Sequence, residues 1–514
     1  MGKSIIIIGA GLAGLSAGCY GQMNGYQSHI FEHHSQPGGV AAAWKRGDYL
    51  LDGGIHFVMG HKPGTALHDL YRQVGVVPAN KFVDLTTYGL FVDEKSGRSL
   101  KVTQDLDRLA HDIKAISPAD ARIADELVAG ARALQGLDMS EMGLSKPPEL
   151  TSPLQQIKDL WAMRGLFRYM IGRYGKPVAE YARNIQDPFL RTFLENLFLP
   201  EVPVYFCFML LALLADGQLG LTRGGSLDFV RSIERRYKEL GGQITYRATV
   251  KEILTESDAG QGRRNDRAVG VLLSEKGQEP REHRAGAVIS AADGYSTIFK
   301  MLGGRYVDKK IQDRYATWSR FRPLLMINYG VAAEFPEPPP FSAIELEHPL
   351  TIGSQEIDGF MVRIFNYSPR FAPPGKTVVQ AEMDTEWDYW NDLHNQDRGR
   401  YEAEKARVAA EVLDRLETHY PGLSAKVEIT DVATPYTFWR YTLNDRGSWE
   451  GWMMTPKAIM TAVERTLPGL DDFYMAGQWV MPGGGVPPCL YSGQHAVQLL
   501  CSRDGRPFLT TAAR

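Results

Sequence analysis

The chain has 514 residues, with 57 Lys+Arg against 60 Asp+Glu and a formal net charge of −3. Its length predicts about three domain-sized units and a core that needs no disulfide or metal staple. Hydrophobic residues at 44% and charged residues at 23% exclude a largely disordered or fibrous chain. The near-neutral balance gives no general attraction to nucleic acid, so no nucleic-acid partner is expected.

The four cysteines, Cys19, Cys207, Cys489 and Cys501, form no CxxC pair, and the 12 histidines show no metal-ligand spacing. No disulfide framework and no bound metal are expected, and a reducing, cytoplasmic location fits this cysteine usage. The N-terminus has no signal-peptide pattern. The longest apolar run, Tyr205 to Ala215, is about half the length of a membrane span.

In chain order, Ser4 to Ile8 reads as a buried parallel strand, Leu12 to Asn24 as a helix ended by Gly25, and Gln27 to Glu32 as a second strand. Gln104 to Leu221 is mostly helical in pattern. Within it, Leu160, Met163, Phe167, Met170 and Tyr174 fall on one helical face. Lys158, Arg164, Arg168 and Arg173 lie away from that face, with Trp161 toward the basic side. A helix in a membrane interface has this pattern, and so does a solvated surface helix. Peripheral membrane contact through residues 157–175 is therefore one expectation.

A further strand-and-helix zone begins near Arg223. Ser226 is the expected N-cap of a helix that runs to about Leu240 and stops at Gly241-Gly242. Strands are expected at Gln243–Tyr246, Val250–Leu254, Ala268–Leu273 and Ala287–Ser290, with a polar hairpin tip over Ser257–Arg267. Lys300 to Leu467 mixes strand-like runs with an exposed Pro-rich connector, Phe335 to Phe341. The chain closes with a strand, Phe473–Met475, a glycine-rich turn, and a helix from Pro487 to Arg503. The order predicts an α/β protein. Residues 1–103, 222–299 and 468–514 would form one domain, and 104–221 with 300–467 a second.

Gly9-Ala10-Gly11-Leu12-Ala13-Gly14 follows the first strand and opens the first helix. Gly9 permits a tight turn, Gly11 lets a pyrophosphate approach the backbone, and Gly14 lets helix and strand pack closely. The helix N-terminus offers free N–H groups and about half a positive charge to the phosphates. The same turn occurs in α/β proteins that bind no nucleotide. Here, however, Glu32 closes the second strand where an acid binds ribose hydroxyls, and an acid there disfavours a 2′-phosphate. No second GxGxxG follows, so one tightly held FAD fits better than a dissociating nicotinamide cofactor.

Several stretches carry a family resemblance. They are Pro37 to Tyr49, Asp52-Gly53-Gly54-Ile55-His56-Phe57, Gly224-Gly225-Ser226, Val288 to Asp293, Ala476-Gly477-Gln478-Trp479, Pro482 to Pro487, and Ser492-Gly493. In this order they resemble the phytoene desaturase, carotenoid isomerase and retinol saturase group of flavoproteins, whose wider superfamily includes amine oxidases. The resemblance spans nearly the whole chain and is looser in its middle segments. It implies a glutathione-reductase-like Rossmann FAD-binding domain with an inserted α+β substrate domain. It implies that Gly9, Gly11 and Gly14 hold the pyrophosphate, Glu32 the adenosine ribose, and Val250 the adenine through its backbone. Arg46 would lie near the phosphates or flavin, and Gly477 and Gln478 near the ribityl chain or second phosphate. Gly485, Val486 and Pro487 would face the pyrimidine edge of the flavin. There a helix N-terminus stabilises the negative charge of the reduced ring. Leu12, Ala13, His33, Gly38, Gly39, Gly54, Ile55, His56 and Ala292 complete the expected contacts with FAD.

The expected activity is desaturation, saturation or cis–trans isomerisation of a long apolar isoprenoid, carotenoid- or retinoid-like, with quinone or oxygen as electron acceptor. A flavin amine oxidase and a non-redox lipid carrier on the same fold are the alternatives. Tyr205–Ala215 would line a substrate tunnel or simply fill the core. His56 is the first choice for an acid/base group, against a structural histidine. Arg440, Tyr441, Asn444 and Trp449 are further choices for the cavity wall. Cys489 does not match the cysteine that links flavin in amine oxidases, so FAD is expected to be non-covalent.

Overall fold

Four consecutive isoleucines, Ile5 to Ile8, make up most of β1 (Ser4–Ile8), and all four are buried. A strand buried on both faces belongs in the middle of a parallel sheet. In the computed structural model, which describes residues 3–137, 144–257, 265–275, 277–335 and 339–511, β1 is the central strand of five. After α1 (Leu12–Met23) comes β2 (Gln27–Glu32), which pairs with β1 on one side. Gln243–Tyr246 lies outside β2, and Ala287–Ser290 followed by Phe473–Met475 lie on the other side. All these pairings are parallel. The start, middle and end of the chain thus share one sheet, as a doubly wound nucleotide-binding fold requires.

α1 is apolar around its whole circumference, because it is covered on both sides. The helices Gly225–Glu239 and Val486–Arg503 pack against it. Glycines permit the close approach: a Cβ at Gly18 would lie 2.7 Å from the Tyr237 ring, and one at Gly493 2.3 Å from the Ala13 carbonyl.

A smaller antiparallel sheet, Ala248–Ser257, Asp266–Glu275 and Arg281–Arg284, crosses beside the first. The third sheet has seven strands in the order Val427–Ala433, Leu324–Val331, Thr377–Asp384, Gln355–Ile364, Phe341–Ile352, Thr87–Asp93 and Arg98–Thr103. The last two strands therefore go with 104–221 and 300–467 by sheet membership, although the sequence division put them in 1–103. Against this sheet lies a helical core in which Tyr205–Ala215 is almost wholly buried.

Two local expectations change. Ser226 is not an N-cap: the helix starts at Gly225, and the Ser226 hydroxyl donates to Asp52 and accepts from the Ile55 N–H. The stripe over 157–175 is not one helix. It is divided into Pro153–Ala162, Met163–Gly165, Phe167–Met170 and Gly172–Gly175, and Gly165 and Gly172 fall at the breaks. The side chains of Leu160 and Met163 lie outside the described residues, as do residues 258–264 of the hairpin tip and 336–338 of the Pro-rich connector. Among the described residues no helix is long and apolar enough to cross a membrane.

Candidate functional site

The turn after β1 has the geometry its glycines predict. Gly9 has φ +95°, and a Cβ there would stand 3.3 Å from the Ala291 carbonyl. A Cβ at Gly14 would be 1.9 Å from the Gly9 carbonyl, so Gly14 sets how closely α1 sits on β1. Gly11 differs. Its backbone is extended, at φ −71° and ψ 179°, and caps α1 without a side chain. A Cβ there would face open space, with the Gly38 carbonyl 3.9 Å away and the Gly39 Cα at 4.0 Å. Gly38 is tied to the turn by its N–H, which donates to the Ala10 carbonyl at 2.9 Å. The result is a groove lined by backbone, of the kind a pyrophosphate enters.

Glu32 is buried at the end of β2. Its two oxygens accept from the N–H groups of Ala10 (2.6 Å) and His34 (2.7 Å). Burial raises its carboxyl above the usual range, while those two bonds pull the other way. Each oxygen keeps a lone pair for a ribose hydroxyl. Beside it, the His33 ring bonds to Thr249 (2.7 Å) and to the Arg440 carbonyl (3.2 Å). Val250 lines the same region, next to a register shift in its strand between Val250 and Glu252 that re-aims the chain.

At the other end of the site, Gly483, Gly484 and Gly485 all have positive φ, at 97°, 51° and 77°. Three residues in a row in this region require glycine. The turn feeds the helix Val486–Arg503, whose second and third residues are prolines. Prolines 487 and 488 lack N–H groups, which leaves Gly485 and Val486 as the free donors of this helix start. Gly477 is held by its N–H, which donates to the Ser492 hydroxyl at 2.7 Å.

Between the two ends stands a charged cluster. The His56 Nε2 is 2.8 Å from a Glu382 carboxylate oxygen, and the other Glu382 oxygen is 3.5 Å from Arg363. Arg363 also donates to Gln380 (3.1 Å) and to the Ile55 carbonyl (3.3 Å). Burial acts to raise the Glu382 carboxyl, but His56 and Arg363 outweigh it and hold the group below the usual carboxylate range. The Trp449 ring lies edge-on to His56, with centroids 6.1 Å apart.

One cavity of about 1320 Å³ joins these parts. It runs from Gly9, Gly11 and Glu32, past His56 and Gly485, to an apolar arm lined by Phe91, Phe193, Tyr205, Phe206, Met209 and Phe341. Ordinary ligand pockets hold about 300–1,000 Å³, so this one has room for a cofactor and a second apolar molecule.

Most sequence-predicted site residues border this cavity. They are Gly9, Gly11, Leu12, Ala13, Glu32, His33, Gly38, Gly39, Gly54, Ile55, His56, Val250, Ala292, Gly477, Gln478, Gly485, Val486 and Pro487. Gly14 stands behind the turn as packing. Arg46 is elsewhere: its exposed side chain pairs with Asp431 at 2.7 Å. Arg440 and Tyr441 are also displaced, lying exposed beside His33 and His34, whereas Asn444 and Trp449 do border the cavity. Cys489 borders it too, but burial pushes its thiol up to about 12, which suits an inert side chain rather than an attachment point. Among the described residues no cluster of His, Cys, Asp and Glu could hold a metal. The sequence reading missed Glu382, Arg363 and Glu450. Gln380, Glu382 and Asp384 alternate on one face of the strand Thr377–Asp384, and that was the available signal.

A family model described as flavin containing amine oxidoreductase matches residues 12–501. The chain belongs to that family. It is an FAD-dependent oxidoreductase, and the backbone groove, the buried Glu32 and the three-glycine turn fit the cofactor. The chain is 24% identical to the chloroplastic prolycopene isomerase of Arabidopsis thaliana, over 95% of this chain and 81% of that protein. It is 23% identical to the lycopene-forming phytoene desaturase of a Paracoccus species, over 97% of each. Its fold matches a crystal structure of an oxidoreductase from Methanosarcina mazei with TM-score 0.61 at 16% identity, covering 96% of this chain and all (100%) of that one.

Proposed function

We propose that this enzyme works on carbon–carbon double bonds of a long isoprenoid, by desaturation, saturation or cis–trans isomerisation. The observation that carries the reading is the apolar arm, whose lining belongs to the same cavity as His56 and the Gly483–Gly485 turn. Bound FAD supplies the acceptor or donor of hydride there. Gly9, Gly11 and the α1 N-terminus would hold its pyrophosphate, and Glu32 would accept from its ribose. The free N–H groups of Gly485 and Val486 would serve as donors to its pyrimidine edge. The apolar arm positions the substrate and excludes water. His56, fixed by Glu382, takes or returns the proton that accompanies hydride transfer. Net oxidation would pass electrons to a quinone or to oxygen.

Substrate entry from a membrane surface is part of the same proposal. Leu154, Ile157 and Trp161 occupy one side of the helix Pro153–Ala162 and are 64%, 63% and 66% exposed. Lys158, Arg164 and Arg168 are exposed nearby, and the Arg164 guanidinium sits over the Trp161 ring at 3.8 Å. Apolar side chains beside cations suit an anionic lipid interface. Pro148, just before this segment, borders the cavity, and Glu149 accepts from the Arg465 N–H on the same rim.

Incubating the FAD-loaded protein with phytoene, prolycopene and retinol, and separating the products, tests the activity. Conversion of a polyene is expected. Failure with every polyene alongside oxidation of an amine would overturn it.

A further inference from the structure

Glu450 stands between two tryptophans, Trp449 and Trp452, and borders the cavity against the three-glycine turn. A Cβ at Gly484 would be 3.3 Å from the Glu450 Cβ, and one at Gly485 3.8 Å from a Glu450 carboxylate oxygen. Among the described residues no hydrogen bond or ion pair engages its carboxyl. The turn contributes no charge, and the Val486–Arg503 helix contributes one titratable neighbour, the Cys489 thiol, itself held neutral by burial. On its own segment, Trp449 lies edge-on to His56 of the His56–Glu382–Arg363 cluster, with ring centroids 6.1 Å apart. Glu450 is half-buried in the cavity wall, and a carboxyl that faces a site without a partner is costly to ionise once a bound molecule covers it, which points to a role there.

We propose that Glu450 is a redox-coupled proton carrier on the pyrimidine rim of the flavin, binding a proton when the ring receives electrons. The inference rests on the placement of that rim at Gly485–Pro487. Burial pushes the Glu450 carboxyl up to about 8, so the group is neutral at neutral pH and ionises in mildly alkaline solution. Two electrons and one proton reaching the ring, from substrate or from added dithionite, leave one negative charge near its N1–C2=O edge. That charge raises the proton affinity of a carboxylate beside it. Where the oxidised protein holds Glu450 as carboxylate, reduction therefore draws one further proton from water onto its oxygen. Where Glu450 is already protonated, it donates a hydrogen bond to the reduced edge and no extra proton is taken.

Spectroelectrochemical titration of the FAD-bound protein across the neutral to alkaline range tests this. In the wild type, the dependence of potential on pH should steepen above about pH 8 by one proton per two electrons. Glu450→Gln keeps the shape and the hydrogen-bond donor but cannot titrate, so the steepening should vanish while FAD is retained. A wild-type profile without the change in slope overturns the proposal on its own, as does a Glu450→Gln profile that keeps it. Loss of FAD from wild-type protein would instead count against the cofactor placement.

Discussion

Replacing Gly11 with valine separates the cofactor site from the fold. The Gly11 backbone is extended and available to any residue, and a Cβ there meets nothing closer than 3.9 Å. The folding cost is that of a poorer helix cap, about 1 kcal/mol. In the FAD-bound protein the isopropyl group would fill the groove between the turn and Gly38-Gly39. Two charge-assisted hydrogen bonds donated by backbone N–H groups to phosphate oxygens would be lost, about 3–6 kcal/mol together, which weakens FAD binding by about 10²- to 10⁴-fold. The assay is the flavin-to-protein ratio after purification, the FAD Kd by flavin fluorescence quenching, and the thermal unfolding of apo-protein. A near-wild-type apo transition with little bound flavin is expected. Stoichiometric flavin at unchanged Kd would refute the placement of the pyrophosphate. Gly14→Ala is the contrast: with 1.9 Å to the Gly9 carbonyl, it should damage the apo fold itself.

Glu32→Ala removes the acceptor for the buried Ala10 N–H and the half-buried His34 N–H as well as the ribose contact, so it should weaken FAD by about 10-fold or more and lower apo stability by about 1–3 kcal/mol, read by fluorescence titration and urea unfolding. Glu382→Gln leaves Arg363 without its counter-ion and should cost about 3–5 kcal/mol at neutral pH. Because the folded Glu382 carboxyl is held below its unfolded value, this contribution is complete above the unfolded pKa and lost as pH falls through the folded one. The difference between wild type and variant in urea unfolding should therefore be flat at neutral pH and shrink in acid. His56→Ala should retain FAD and lose about 10²- to 10⁴-fold in kcat. Ile157→Glu with Trp161→Glu should reduce sedimentation with phosphatidylserine vesicles while leaving the flavin spectrum unchanged.

The nucleotide-binding start was legible because its determinants are local: β1, the glycine turn and Glu32 lie within the first βαβ unit, and their spacing fixes their geometry. The His56–Glu382–Arg363 cluster was not, because it needs the pairing of Gln355–Ile364 with Thr377–Asp384, which sets Arg363 opposite Gln380 and one strand away from Glu382. A single sequence does not announce that register. Arg46 was misplaced for a related reason: its neighbouring glycines mark a hairpin, but the chain turns its side chain out toward Asp431. The apolar stripe over 157–175 obeyed helical spacing, yet Gly165 and Gly172 interrupt the helix at positions that periodicity does not register. Glu450 carries no motif or spacing signal of its own, and only the fold places it against the three-glycine turn.

The most direct test of the central claim is anaerobic mixing of the FAD-bound protein with a carotene, with the flavin absorbance recorded and the products separated. A changed double-bond pattern in the polyene is the predicted result, with flavin bleaching if the reaction is a desaturation. An unaltered carotene, with bleaching produced by a primary amine instead, would contradict it.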